Sequence, residues 1–304
     1  MSYYTERHGL RAPVERTETI THELYALIFD CCERYFDNIA WKYPEECPDG
    51  NGCCGLDIEK FSLALKFEIP NLFQKYGTIR KPQEELFNRK GDSYDQYGLL
   101  DFIEFMFDNM KDIRSRSWHD YYHHTDLTFC EYHHASLEFR NEINNIFQKT
   151  GLMYILNDLG MVERVDANGV LSKEIEAAVT QVPEKGLKEL LQDAILLYKT
   201  PGPQARQDSV ERIWDALERL KSFYATSQKD KLESIKKITN DIAGGQTDLV
   251  ALFDDEIKAL TIMGNKYKIR HHETYQVDIT DSRHYDYFFN RCLSLIALAI
   301  QYLK

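Results

Sequence analysis

The ten residues Gly264-Asn265-Lys266-Tyr267-Lys268-Ile269-Arg270-His271-His272-Glu273 hold the chain's densest set of groups able to move protons and grip phosphate. Arginine binds phosphate through a planar fork of donors, and imidazole titrates near neutral pH. With a carboxylate to orient a ring, these are the groups of a metal-independent ribonuclease. One imidazole deprotonates a ribose 2′-hydroxyl, a second donor protonates the leaving oxygen, and a cation stabilises charge on phosphorus. On this reading His271 is the general acid/base and Arg270 and Lys266 hold phosphate. His272, Asn265 and Glu273 orient or assist, and Lys268 is a further binding candidate. The competing expectation is a polar helix end at Gly264-Asn265, since Lys, Arg and His after a helix C-terminus complement its dipole.

A second cluster, Trp118-His119-Asp120-Tyr121-Tyr122-His123-His124, precedes Cys130 and His133-His134. His119 and His123 are four apart, so on a helix they would share a face and could hold zinc, but no neighbouring Glu completes an HExxH pattern. The favoured expectation is a polar aromatic surface with Tyr121, Tyr122 and His124 as contact residues. Cys31-Cys32, Cys47 and Cys53-Cys54 lack the two spaced pairs of a zinc site, and Cys31 and Cys32 fall on an apolar helix face. Asp49-Gly50-Asn51-Gly52 lacks the ligand series and closing Glu of a calcium loop, so it reads as a turn. No metal and no cofactor are expected. Walker, GxGxxG and GxSxG motifs are absent, which leaves ATP hydrolysis, dinucleotide redox and α/β-hydrolase chemistry without support.

The elements that must position these groups follow from composition and periodicity. With 304 residues, 43% apolar and 28% charged, the chain reads as a soluble protein of two domains that needs no disulfide or metal to fold. Its longest apolar run, Cys292 to Leu303, is too short to span a bilayer, and the N-terminus lacks a signal-like stretch. No membrane partner and a cytoplasmic location are expected. The seven cysteines are odd in number and partly adjacent, so free thiols are expected. A net charge of −12 provides no global positive field, so any contact with RNA needs a local basic patch.

Helical spacing predicts a first helix over 17–39, capped by Thr19 or Thr21, with Leu24, Leu27, Ile28, Cys31, Tyr35 and Ile39 inward. A loop over 44–55, a helix over 57–67 capped by Asp57 and a short helix from Pro70 to Tyr76 follow. Amphipathic helices are expected over 83–90 and 99–110. The segment 114–134 has weak periodicity, and 137–150 is helical. Two short β-type runs joined by an Asp/Gly turn make a hairpin over 153–165. Beyond the break at 166–169, helices are expected near 172–180, 184–199, 203–225, 229–243, 246–262 and 283–303. The long non-helical stretch 263–282 carries the basic segment, and 274–279 alternates like a short strand. Domains of 1–168 and 169–304 result.

Several segments resemble a group of bacterial proteins that carry an AbiJ-type abortive-infection N-terminal domain ahead of a HEPN-like C-terminal domain. The resembling segments are Val210-Glu-Arg-Ile-Trp-Asp-Ala-Leu-Glu-Arg-Leu-Lys221, Asp230-Lys-Leu-Glu-Ser-Ile-Lys236, Gly264 to Thr274, His284-Tyr-Asp-Tyr-Phe-Phe-Asn-Arg-Cys-Leu293, and Phe139-Arg-Asn-Glu-Ile-Asn-Asn-Ile-Phe147 with the hairpin after it. The resemblance implies a mainly α protein: a helical N-terminal domain ending in a small β-hairpin, followed by an all-α HEPN-like helical bundle. It implies an anti-phage role with a phage-derived trigger, RNA as substrate, a homodimer and a composite metal-independent nuclease site. The usual HEPN motif is Arg, a polar residue, then His four to six positions later. Here Asn265 stands six before His271, Lys266 five before it, Gly264 where Arg would precede, and Arg270 beside the His. A non-catalytic HEPN-like sensor module or a dimerisation scaffold is the alternative expectation, because Lys does not replace the bidentate fork of Arg.

Overall fold

The structure, a computed structural model, describes residues 4–12, 14–50, 52–85, 90–166, 169–269 and 274–303, in two compact units, Met1–Val165 and Asp166–Lys304. In the first unit, α1 (Tyr4–Arg7) precedes α2 (His22–Glu33), which is capped by the Thr21 hydroxyl accepting from the Leu24 amide at 3.3 Å. The expected 17–39 helix therefore begins later, and it breaks before a short α3 (Phe36–Ile39). Ile28, Cys31 and Ile39 are buried as expected, whereas Leu27 is exposed.

The expected loop over 44–55 instead contains β1 (Pro44–Glu46) and β2 (Cys53–Leu56), an antiparallel pair in which Pro44 faces Leu56. Asp57 caps α4 (Ile58–Glu68), accepting from the Lys60 amide at 2.9 Å. Pro70 to Tyr76 is not helical: β3 (Gln74–Lys75) and β4 (Thr78–Ile79) form a tight hairpin turning through Tyr76 and Gly77, both at positive φ. Residues 83–85 are not helical either, and the rest of the helix expected there, Leu86 to Arg89, lies outside the described residues.

α5 (Gln96–Asn109) is followed by the largest departure from expectation. Segment 112–130 folds as a hairpin of β5 (Asp112–His119) and β6 (His124–Cys130). Together with β1 and β2 it makes a four-stranded antiparallel sheet of order β1-β2-β6-β5. α6 (His134–Thr150) and the expected hairpin, β7 (Tyr154–Leu156) with β8 (Val162–Arg164), complete the unit. α2, α4, α5, α6 and the β7–β8 hairpin share one core, in which Phe61, Phe102, Phe139 and Phe147 are buried.

Among the described residues the second unit has helices and no strands: α7 (Lys173–Thr180), α8 (Lys185–Lys199), α9 (Pro203–Leu220), a 3-10 turn (Gln228–Asp230), α10 (Lys231–Ala243), α11 (Thr247–Lys266) and α12 (Ser282–Ala299). Pro203 opens α9, where its missing N–H costs nothing. α9 stops at Leu220, short of the expected 225, and 274–279 contributes only an isolated bridge from Val277 to Tyr267. Val210, Ile213, Trp214 and Leu217 on α9 are fully buried among Leu187, Leu191, Leu260, Phe289 and Cys292. Gly264 is not a helix cap, because α11 runs on to Lys266. A Cβ at Gly264 would stand 2.5 Å from two atoms of the Trp214 indole, so the glycine exists for close packing.

All seven cysteines are free, and no helix of the described residues is long and apolar enough to cross a membrane.

One cap sets an acid limit on this unit. The Glu184 carboxylate accepts from the Gly186 and Leu187 amides that open α8 and pairs with Arg219 at 2.7 and 3.0 Å. The Arg219 pairing, with those two amides, holds Glu184 down at about 2. A folded value below the ordinary 4.5 means that the stabilisation is complete above pH 4.5 and is lost as the pH falls towards 2. Glu184→Ala should therefore cost about 1 kcal/mol at neutral pH, with the gap to wild type closing in acid. Urea unfolding at several pH values checks this, and a gap constant with pH would contradict it.

Candidate functional site

In the basic segment, the last turn of α11 delivers Asn265 and Lys266, both exposed. The Asn265 carbonyl accepts from the Gln276 side chain at 3.0 Å, and the Lys266 ammonium lies 5.7 Å from the Tyr267 ring centre. After Tyr267 the chain is pinned by two backbone bonds, Lys268 N–H to Val277 O and Val277 N–H to Lys266 O, each 3.1 Å. Ile269 then turns into the core. Arg270, His271, His272 and Glu273 lie outside the described residues.

Lys268 is committed to Asp278 at 2.8 Å, so a phosphate would have to compete with that carboxylate. Beside the segment is a groove of about 550 Å³ lined by Tyr267, Asp278, His284, Tyr287 and Arg291 among others. Arg291 is clamped by both oxygens of Glu256 at 2.8 and 2.9 Å, which raises its already high pKa further. His284 is exposed in the first turn of α12, in a groove that otherwise offers paired charges. Sequence reasoning passed over it because it stands alone in an ordinary amphipathic helix.

The His- and Tyr-rich segment is a hairpin, not a helix, so the four-residue spacing of His119 and His123 has no meaning there. The turn Asp120–His123 closes with His123 at φ 56° and its amide bonded to the His119 carbonyl at 2.9 Å. Tyr121 is 80% exposed at the tip, and Tyr122 packs edge-on against both Tyr121 and His119. His124 does not join them as a free contact residue. It turns inward against Asp126, with His119 and Cys47 beside it. Burial pushes the Cys47 thiol above its ordinary value, and hydrogen bonding to Asp49 adds to this.

Cys47 was set aside with the other cysteines and Asp126 was not singled out, because the strands that align them are invisible to apolar periodicity. The available signal was hairpin register. A turn centred on Tyr121-Tyr122 sets His119 opposite His124, with Asp126 two residues further along the same face.

The family model described as AbiJ N-terminal domain 4 matches residues 2–181. No curated protein and no solved structure matches the chain.

Proposed function

Because this chain belongs to the AbiJ N-terminal domain 4 family through residues 2–181, we propose that it is a bacterial anti-phage protein of the abortive-infection type. Its C-terminal helical unit, similar to HEPN domains, is the effector, and it cuts RNA without a catalytic metal. The observation that carries the reading is the placement of Asn265 and Lys266. They stand exposed on the last turn of α11, next to Tyr267, which lines the same groove as the exposed His284. In a homodimer two copies of the segment face each other across RNA, and His271 of each transfers the proton. Arg270 and Lys266 hold the phosphate, with His272, Glu273 and Asn265 orienting the rings and the sugar.

The chemistry is internal attack of the 2′-hydroxyl on phosphorus, so the products carry 2′,3′-cyclic phosphate and 5′-hydroxyl ends. Purified full-length protein should cut RNA in the presence of EDTA, and His271→Ala should slow this by at least about 100-fold. The reading fails if the dimer leaves RNA intact under every cofactor condition and His271→Ala leaves phage protection unchanged.

A second reading, a sensor module that cuts nothing, is favoured by the tip of the β5–β6 hairpin, where Tyr121 is 80% and Trp118 58% exposed. Saturable binding of a phage component that is lost in Tyr121→Ala but indifferent to His271→Ala supports it over the first.

A further inference from the structure

We propose that Cys47, His119, His124 and Asp126 form a zinc site that ties the β1–β2 turn to the β5–β6 hairpin. One ligand atom from each of the four residues lies within 4.8 Å of the other three. His119 Nδ1 is 3.5 Å from Cys47 Sγ and 3.4 Å from Asp126 Oδ2, and His124 Nε2 is 3.1 Å from Asp126 Oδ1. Around tetrahedral zinc, with bonds of about 2.0–2.3 Å, neighbouring donor atoms stand roughly 3.3–3.7 Å apart. The 3.4 and 3.5 Å contacts already match that spacing, and separations of up to 4.8 Å have to close by about an ångström for the four residues to share one ion.

The backbone assembles this set from two strands and a turn. His119 and His124 are directly paired across the β5–β6 ladder, and Asp126 follows His124 on the same face. Cys47, the residue after β1, is held in a tight turn by its amide bonding to Gly52 O at 2.9 Å and by Gly50 N–H bonding back to its carbonyl at 2.8 Å. β2 pairs with β6 through Cys53 and Leu127, which lays that turn beside Asp126. At Gly52 a Cβ would come within 3.0 Å of Asp126 Oδ1, so the glycine leaves room for the carboxylate.

Hydrogen bonds already tie these groups together: the Cys47 thiol bonds to Asp49, and His119 Nδ1 and His124 Nε2 each face one oxygen of Asp126. A cation at the common point satisfies all four groups. A thiolate with two imidazoles and one carboxylate is a donor set for zinc, whereas calcium and magnesium take oxygen. Binding deprotonates the Cys47 thiol and releases that proton to solvent. The far nitrogen of His119, Nε2, is 4.0 Å from Asp49 Oδ2, placing a second carboxylate where it would orient the ring. The other nearby thiols are engaged elsewhere: Cys53 donates to the Ala40 and Gly55 carbonyls and Cys54 to Glu45 O.

This inference is independent of RNA cleavage. The test takes full-length protein purified with reduced thiols from zinc-supplemented medium. Elemental analysis should find about one zinc per chain after dialysis. Cobalt(II) added to the metal-free protein should give tetrahedral d–d bands and a sulfur-to-cobalt charge-transfer band. Cys47→Ser should abolish the charge-transfer band, while Cys53→Ser with Cys54→Ser keeps it. His124→Ala and Asp126→Asn should each weaken binding at least about tenfold, with far-UV circular dichroism establishing that each variant is folded. The proposal is overturned if folded wild type retains no zinc and gives no cobalt spectrum, or if Cys47→Ser leaves the charge-transfer band unchanged.

Discussion

Gly264→Val is expected to lower the stability of the C-terminal unit by at least about 3 kcal/mol, because it drives a branched side chain into a core with no free space. Two atoms of the Trp214 indole, Cδ1 and Nε1, would lie 2.5 Å from the new Cβ, more than an ångström inside ordinary contact. Trp214 cannot retreat: it is fully buried, and its Nε1 donates to the Leu260 carbonyl at 3.0 Å one turn earlier on α11. Moving the indole therefore breaks that bond as well as the packing. Even Gly264→Ala, which gains about 1 kcal/mol of helix propensity, should be net destabilising, since the overlap costs more than that gain. Trp214→Leu in the Gly264→Ala background should recover part of the loss, as expected of two residues in contact. Urea unfolding of the single and double variants measures the coupling, and a Gly264→Ala protein as stable as wild type would refute the argument.

Asp112→Ala should cost about 2–3 kcal/mol at neutral pH, the largest effect expected from a single polar side chain in the N-terminal unit. α6 begins without help from its own N-cap: His133 sits at φ 62° and makes no capping bond. Asp112, distant in sequence at the start of β5, supplies the cap by accepting from the His134 amide at 3.0 Å and the Ala135 amide at 2.6 Å. Because Asp112 is buried, its removal strands two amide donors where water reaches them poorly. Burial alone would raise its pKa, but the Ala135 and His134 amides more than offset this and hold it below the ordinary 3.8. The sign follows: the contribution is complete above the ordinary carboxylate range and is lost as the pH falls through the depressed folded value. The stability gap between wild type and Asp112→Ala should close in strong acid, and Asp112→Asn, which retains one acceptor, should recover part of it. Equilibrium unfolding across pH decides this, and a gap that widens in acid would reverse the assignment.

The helices of the second unit were legible because each repeats an apolar residue at helical spacing and most end in recognisable caps or breaks, such as Ser172 before α7, Pro203 at the start of α9 and Gly244 after α10. The four-stranded sheet was not. β5 reads Asp-Ile-Arg-Ser-Arg-Ser-Trp-His, and its central residues are exposed, so no apolar alternation marks it. Its turn has no glycine, and His123 takes the left-handed conformation instead. β1 and β2 are three and four residues long and pair across a turn that reads as loop. The Cys-His-His-Asp cluster inherits that invisibility, because its geometry comes from pairing between segments rather than spacing within one. For the basic segment, the sequence located the end of α11 within four residues but misassigned Gly264. A glycine that admits a neighbouring tryptophan and one that ends a helix look alike until the partner is known.

The family match ends at residue 181, whereas the compact N-terminal unit ends at Val165. α7 lies between these limits, and its Val179 is buried in the core of the second unit with Leu187 and Leu191 of α8. The family match and the compact N-terminal unit thus end one helix apart. A C-terminal piece cut at the edge of the family match would lose α7 and uncover the part of α8 that packs with Val179. Such a piece should therefore be less stable than one that begins at Asp166: α7 goes with the family match in sequence and with the second bundle in its packing.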